Sequence, residues 1–505
     1  MSLPLSTTFA HGQSHRARAA LAAFHATTLD ALLAAHERDD PFEEALALFH
    51  EVAASVPAYA AFLGEHGVEW TRVTSRSDFE RLPTPTKDTY YRRHPLPALC
   101  RGGRLEDSDF VAVSSGSTGE PAVWPRFVSD ELGSAERFEQ VLADAFQARE
   151  RRTLGVVCFA LGSWVGGMYT TAACRHVAAK GYPLTLVTPG NNVVEILRVV
   201  RALAPYFEQT VLFGYPPFLK DVIDAGRADA LDWGAQPVRL VTAGEVFSEA
   251  WRDLVVERAG GSDPARSTAS LYGTADGGVL ANETPLSITI RRLLAEHPSA
   301  ARELFGEPRL PTLCQYNPLH RYFEVDDRDL LFTGDGGAPL VRYRILDRGG
   351  VVEYERMLAF CRDHGFDPLA ALGETPARAL PFVFVFGRTG FAVSYYGANV
   401  YPENVAPALE APLVAPHVTG KFVLELTERA DGDTTLRVSV ELAPGREPRE
   451  ELARSAARAI EAEILRQNSE YRSYVPEARR TPEVRLMPNA DPSYFPKGVK
   501  HRYAR

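Results

Sequence analysis

Apolar residues recur at helical spacing through Phe42-Glu43-Glu44-Ala45-Leu46-Ala47-Leu48-Phe49 and again from Tyr59 to Phe62, so a helical segment of about residues 1–80 is expected. Leu82-Pro83-Thr84-Pro85-Thr86-Lys87-Asp88-Thr89-Tyr90 interrupts it: Pro83 and Pro85 stop a helix, and Thr86 is placed to cap a new one with Thr89 and Tyr90 inside. The pattern then changes to short apolar runs. Phe110 to Val113 and Thr153 to Ala160 read as buried strands, Asp130 to Ala148 and Tyr169 to Ala179 as helices, and Pro183 to Val187 as the next strand. Strand, helix and strand at this spacing form a βαβ unit, which predicts an α/β fold with a largely parallel sheet. The logic repeats through a helix over Val193 to Ala202, the apolar segment Gln209 to Gly214, a break at Tyr215-Pro216-Pro217, a further helix and the strand Val238 to Thr242. Two apolar runs around Thr333-Gly334-Asp335-Gly336-Gly337 predict a β-hairpin, and Pro381 to Phe386 is another apolar run. Near the end, Gly420 to Leu426 and Thr434 to Leu442 read as strands and Pro448 to Asn468 as a helix with proline in its first turn, a small α+β unit.

Composition narrows this picture. A chain of 505 residues with 45% hydrophobic and 24% charged residues is globular and long enough for two or more domains. The net charge of −10 argues against a nucleic-acid partner, because basic residues form only short clusters such as Arg151-Arg152, which Glu150 partly offsets. Five scattered cysteines without a CxxC motif indicate neither a disulfide framework nor a zinc site, and reduced thiols are the simplest account. No apolar run approaches the roughly 18 residues of a membrane helix, so no membrane association is expected. The N-terminus has no acid before Asp30 and carries Arg16 and Arg18, which fits a transit peptide or an ordinary amphipathic helix; a cytoplasmic protein is the expectation. A homodimer is compatible with the sequence.

The densest candidate chemistry is Ser114-Ser115-Gly116-Ser117-Thr118-Gly119-Glu120-Pro121, directly after an apolar run. Glycines that allow close backbone approach, successive amides and neutral hydroxyl donors together suit an oxyanion, with phosphate as the guest. A Gly/Ser turn in solvent has the same composition, and the Lys of a Walker A loop is missing. Gly214-Tyr215 and Ala243-Gly244-Glu245 follow predicted strands, as the loop does, and ligands of α/β sheets gather at such C-terminal strand ends. Gly162 and Gly166-Gly167, after the strand ending at Ala160, either admit a ligand or pack tightly.

Ser114 to Gly119 resembles the phosphate-binding signature of the adenylate-forming enzymes, and its neighbourhood, with Leu82 to Tyr90 upstream, is similar to the phenylacetate-CoA ligase branch. The resemblance runs from about Leu82 to the C-terminus. It implies a large N-terminal domain of layered, mostly parallel sheets and helices with a β-rich subdomain (1–387), then a small mobile α+β domain (388–505). Tyr272-Gly273-Thr274-Ala275-Asp276 is similar to the family's Tyr-Gly-x-Thr-Glu, which implies that the Tyr272 ring packs near adenine and that Asp276 holds Mg²⁺, with Ala275 in place of the threonine. Arg342-Tyr343-Arg344-Ile345-Leu346-Asp347 resembles Arg-Tyr-Arg-Thr-Gly-Asp, placing Asp347 on the ribose hydroxyls; Asp335, upstream in the hairpin turn, is a decoy for that role. Gly387-Arg388-Thr389-Gly390 resembles the Gly-Arg-x-Asp hinge with glycine for the acid, and Arg388 is expected on the ribose or phosphate. Gly397-Ala398-Asn399-Val400-Tyr401-Pro402 closely resembles Gly-Val-Asn-Val-Phe-Pro. Lys500, with Lys497 as the alternative, takes the place of the terminal catalytic lysine.

As a set these imply an AMP-forming acid-thiol ligase. ATP would be bound by Ser114, Ser115, Gly116, Ser117, Thr118, Gly119, Gly244, Glu245, Tyr272, Gly273, Thr274, Asp347 and Arg388, and a small carboxylic acid by Trp164, Gly166, Tyr215 and Ala243. The aromatic walls and the branch resembled favour an aromatic acid. CoA is the expected acceptor; a carrier-protein thiol, an amine or another small nucleophile is the alternative. Ala275, Asp276, Ile345-Leu346 and Gly390 keep open a catalytically silent nucleotide-binding scaffold.

Overall fold

The computed structural model describes residues 12–113, 122–162, 165–307, 310–388, 392–495 and 504. The opening segment is helical as expected, with helices Gly12–Ala26, Pro41–Ser55 and Pro57–Glu65. Pro41–Ser55 begins at Asp40, whose carboxylate accepts the Phe42 N–H at 2.9 Å, with proline at the first helical position. Its stripe of Phe42, Ala45, Leu46, Phe49 and Val52 is buried, and Phe49 meets the rings of Phe79 and Tyr59 edge-on. Among the described residues no single helix is long and apolar enough to cross a membrane.

Thr86 does act as a cap, but of a single turn. Its hydroxyl accepts the Thr89 N–H and the Thr89 hydroxyl accepts the Thr86 N–H, both at 3.0 Å, and a short 3-10 helix, Tyr91–Arg93, follows. Pro95 and Pro97 lack amide hydrogens and leave no room for a longer helix.

β1 (Phe110–Val113) and β2 (Val123–Arg126) pair antiparallel on either side of residues 114–121 in the chain. β3 (Thr153–Val157), β4 (Leu184–Val187), β5 (Gln209–Gly214) and β6 (Val238–Ala243) are the parallel strands that the βαβ pattern predicts, and β7 (Thr268–Thr274), not read as a strand from the sequence, extends them in parallel. β8 (Gly278–Asn282), β9 (Thr312–Gln315), β10 (Tyr322–Asp326), β11 (Asp329–Gly334), β12 (Leu340–Val352) and β13 (Phe382–Arg388) continue the same sheet antiparallel. The eleven strands run in the order β10-β11-β12-β13-β9-β8-β7-β6-β5-β3-β4. The expectation of a largely parallel sheet therefore describes only five of them. Parallel neighbours need a crossover of a dozen or so residues, and the turns joining β7 to β8 and β10 to β11 to β12 are too short for one.

Beyond this sheet, β14 (Val393–Tyr395) and β15 (Ala398–Val400) form a hairpin. β16 (Val418–Glu428) and β17 (Thr434–Leu442) pair antiparallel, the helix Glu450–Gln467 follows, and β18 (Glu483–Met487), not foreseen from the sequence, adds in parallel to β17. One hydrophobic core runs from β3, β5 and β6 through the helix Pro216–Ala228 into β14 to β17 and the helix Glu450–Gln467. A polar seam lies beside it: Lys220 bridges Asp224 and Asp433, Arg479 bridges Asp433 and Asp221, and the Tyr396 hydroxyl donates to Asp221 at 2.7 Å. All five cysteines are free and buried.

Candidate functional site

The ends of β5, β6 and β7 lie side by side, with Gly214 opposite Thr242 and Ala243 opposite Leu271. That register brings Tyr215, Gly244 and the Thr274–Gly278 turn to one edge of the sheet; the sequence places the first two at strand ends, and the turn joins them in the fold. Gly244 has φ +88° and lies against the Tyr215 ring, where an added Cβ would come within 3.1 Å. Gly397 (φ +82°) approaches the same ring so closely that a Cβ would stand 2.2 Å from it. The glycine of that segment is thus fixed by backbone conformation and by contact with Tyr215. Phe159 meets Tyr215 edge-on at 4.9 Å and Tyr474 lies 5.4 Å away. Gly166 faces the Phe159 ring and Gly167 the Ala160 carbonyl, so these two glycines serve close packing of the helix Val165–Ala179 on the end of β3.

Tyr272 and Asp347 come from strands 75 residues apart and meet: the Tyr272 hydroxyl donates to Asp347 Oδ2 at 2.8 Å, and both are buried. Asp347 also stands opposite Arg388 across β12 and β13. Leu346, where the resembled motif has glycine, keeps a glycine-like φ of +68° with its side chain half exposed. The left-handed conformation costs a leucine about 1–2 kcal/mol, which the flanking strand pairing sustains. Asp335 accepts from Arg101 at 2.6 Å and from Arg16 at 2.9 Å, an ion-pair clamp in the β11–β12 turn, consistent with its reading as a decoy.

Asp276 sits in the turn between β7 and β8, 5% exposed. Tyr343, from the Arg342-Tyr343-Arg344 segment, donates its hydroxyl to Asp276 Oδ2 at 2.7 Å, while Oδ1 is buried with no hydrogen-bond partner among the described residues. An unpaired, buried carboxylate oxygen fits a hard cation such as Mg²⁺, which takes one or two carboxylates and keeps several waters. The Thr274 hydroxyl accepts the Gly277 N–H at 2.9 Å and closes the turn beneath it.

Glu245 is half-buried and its carboxylate accepts the Gly397 N–H at 2.6 Å. It therefore ties the end of β6 to the β14–β15 turn. Burial, opposed only by that hydrogen bond, pushes its pKa up from 4.5 to about 8. A raised acid pKa means that the folded state holds the proton more tightly than the unfolded one, so the associated stability is complete below pH 4.5 and is lost as pH rises towards 8. The melting temperature of the wild type is expected to fall across that window relative to Glu245→Gln; a difference between the two that does not change with pH would refute the titration.

Trp164, Lys497, Lys500 and the whole of Ser114, Ser115, Gly116, Ser117, Thr118 and Gly119 lie outside the described residues, as does the Arg388 side chain. Sequence reasoning missed Arg126, Tyr169, Ser134 and Arg321, which crowd around the Ala275–Gly278 turn. The available signal was an arginine closing the apolar strand β2 just after the Gly/Ser loop.

No protein-family profile matches the sequence, and no curated protein does. Solved structures do. A crystal structure of 2-hydroxyisobutyryl-CoA ligase in complex with 2-HIB-AMP and CoA in the thioesterification state aligns with a TM-score of 0.61 at 15% identity, covering 100% of this chain and 94% of that one. The same ligase in the postadenylation state with R3-HIB-AMP aligns at 0.54 and 15% identity, covering 93% and 90%. An open conformation of it with 2-HIB-AMP and CoA aligns at 0.53 and 15% identity, covering 93% and 92%. The chain has the fold of that ligase from end to end.

Proposed function

We propose that this protein is an AMP-forming ligase that activates a carboxylic acid as its acyl adenylate, releases pyrophosphate and passes the acyl group to a thiol, that of CoA. The contact between Tyr272 and Asp347 carries the reading. It brings together, from distant segments, the ring assigned to adenine and the acid assigned to ribose, beside Asp276 on the same strand and turn. The fold shared with 2-hydroxyisobutyryl-CoA ligase supports it. An aromatic acid of the phenylacetate type is the substrate favoured by Tyr215, Phe159 and Tyr474, three rings at the end of the parallel strands.

In this reading Asp347 accepts from the 2′ and 3′ hydroxyls of ATP, and the Tyr272 hydroxyl holds that carboxylate in place. Asp276 would hold Mg²⁺, which when bound offsets charge on the phosphates; Tyr343 fixes the rotamer that leaves Oδ1 available. The substrate carboxylate oxygen attacks the α-phosphorus, the bond to the bridging oxygen breaks and pyrophosphate leaves. The thiolate sulfur then attacks the acyl carbon and AMP departs. Little covalent work is asked of the protein, so positioning and charge stabilisation carry the rate.

ATP/pyrophosphate exchange against a panel of aryl and aliphatic acids, without an acceptor, tests the first step. Acid-dependent exchange supports the reading, and ATP binding without exchange for any acid favours the nucleotide-binding scaffold. Adding CoA or an amine to an active mixture and following AMP release distinguishes the acceptors. Asp347→Ala is expected to lower kcat/KM for ATP about 30-fold, roughly the loss of one hydrogen bond to a charged acceptor. The wild type should discriminate against 2′,3′-dideoxy-ATP and the variant should not; undiminished discrimination would remove Asp347 from the ribose site.

A further inference from the structure

Two arginines grip the turn that carries Asp276. Arg126 donates Nη1 to the Asp276 carbonyl at 3.2 Å and Nη2 to the Ala275 carbonyl, and Arg321 donates Nη2 to the Gly277 carbonyl at 3.2 Å. Both are buried, at 3% and 7% exposure. Beside them stand two hydroxyls. The Arg126 guanidinium lies 5.4 Å from the centre of the Tyr169 ring, and a Cβ placed on Gly278 would lie 3.3 Å from that ring and 3.7 Å from Ser134 Oγ. Tyr169 and Ser134 are 3% and 0% exposed.

Four donors of this cluster, Arg126 Nε, Arg321 Nε, the Tyr169 hydroxyl and the Ser134 hydroxyl, are buried with no hydrogen-bond partner among the described residues. The carboxylate that pairs with Arg126 is already committed. Asp130 meets Arg126 at 3.2 Å through one oxygen, and its other oxygen accepts the Phe127 and Gly337 N–H groups at 2.9 and 2.8 Å. The Arg321 Nη groups donate to backbone carbonyls, those of His320 at 2.8 Å, Asp335 at 3.5 Å and Gly277 at 3.2 Å. Burial lowers its pKa, the direction that a further anion beside it would oppose. Buried polar groups are almost always paired in a working protein, and each unpaired one costs about 1–3 kcal/mol.

We propose that the acid activated by this protein carries a second carboxylate, and that Arg126, Arg321, Tyr169 and Ser134 form its binding site. A carboxylate offers about four lone-pair directions, which matches four donors, and guanidinium pairs with it more strongly than with a neutral acceptor. The position is appropriate: Arg126 ends β2, Arg321 precedes β10, Tyr169 lies on the helix Val165–Ala179 and Ser134 on the helix Val128–Gln140, and both arginines hold the turn of Asp276, so one end of a diacid would bind here while the other reached the nucleotide. The inference rests on the adenylation reading above and narrows its substrate class.

The test uses the full chain and matched pairs differing by one carboxylate: phenylacetate with 4-carboxyphenylacetate, and propionate with succinate. In ATP/pyrophosphate exchange the diacid of at least one pair is expected to show a kcat/KM about 10²-fold or more above its monoacid, since a site built for a polar group strongly rejects the analogue lacking it. Arg126→Met should abolish that preference, and Tyr169→Phe and Ser134→Ala should each reduce it about tenfold, the two hydroxyl variants with the KM for ATP unchanged. Should Arg126→Met fail to fold, the two hydroxyl variants decide. Preference for the monoacids, or a preference unmoved in the folded variants, overturns the proposal. A rise in the KM for ATP in the two hydroxyl variants, equal for all acids, also overturns it, because the cluster would then serve the nucleotide. If no acid supports exchange, the adenylation reading fails by itself, and calorimetric titration with succinate and 4-carboxyphenylacetate judges the site: binding lost in Arg126→Met upholds it, and no binding refutes it.

Discussion

Replacing Arg252 by methionine is expected to destabilise the folded chain by about 3–5 kcal/mol, the cost of removing one partner from a buried ion pair. Arg252 is 0% exposed and its guanidinium meets Glu283 through Nη1 and Nη2, at 3.0 and 2.7 Å, Thr268 Oγ1 at 2.7 Å, and Glu249 through Nε at 2.9 Å. Glu283 in turn accepts the Ser270 N–H at 2.8 Å. Thr268 and Ser270 belong to β7, the strand that carries Tyr272, and Glu283 follows β8. The pair therefore anchors the two strands flanking the Asp276 turn. Without Arg252, Glu283 is left charged and unpaired in the core. Urea denaturation measures the loss, and Arg252→Met combined with Glu283→Gln should recover part of it, because the stranded charge is then gone. A loss below about 1 kcal/mol would show that water or rearrangement satisfies Glu283. Activity should fall alongside stability, as Tyr272 and Asp276 lose their registration with Asp347 and Tyr343.

Lys500→Ala is expected to reduce adenylate formation about 10²-fold or more, some 3 kcal/mol of transition-state stabilisation, with no change in melting temperature. The physical basis is charge: a lysine between the attacking carboxylate and the α-phosphate offsets negative charge that grows as the bond forms. Pyrophosphate exchange under saturating ATP and acid reads it directly. Full activity of Lys500→Ala with loss in Lys497→Ala would transfer the role to the neighbouring lysine. Activity retained in both would make the terminal basic cluster a solvated tail.

Apolar periodicity marked the parallel strands β3 to β6 and their crossover helices, because a buried strand and an amphipathic helix leave different spacings of apolar residues. It also put Gly214-Tyr215 and Ala243-Gly244-Glu245 at strand ends on one edge, since parallel βαβ units point their strands the same way; that β7 joins them with its end at Thr274 was decided by the tertiary structure. Local motifs singled out Tyr272, Asp276 and Asp347, and passed over Asp335 in the hairpin turn. What the sequence could not determine depends on contacts between distant segments. The antiparallel half of the sheet follows from short turns whose partners lie far apart in the chain, and β18 joins β17 only after a helix has been crossed. Glu245 reads as a strand-end acid, yet its burial and its bond to Gly397 exist only because β14 and β15 fold back onto the end of β6. Tyr343 is one residue of an Arg-Tyr-Arg run until β11 and β12 turn its hydroxyl onto Asp276. Arg126 and Arg321 are nearly two hundred positions apart in the chain, and only the close approach of β2, the Ala275–Gly278 turn and residue 321 gathers their charges in one place. Burial and electrostatic coupling are properties of that assembly, because the dielectric surroundings of a side chain are set by what packs around it in space.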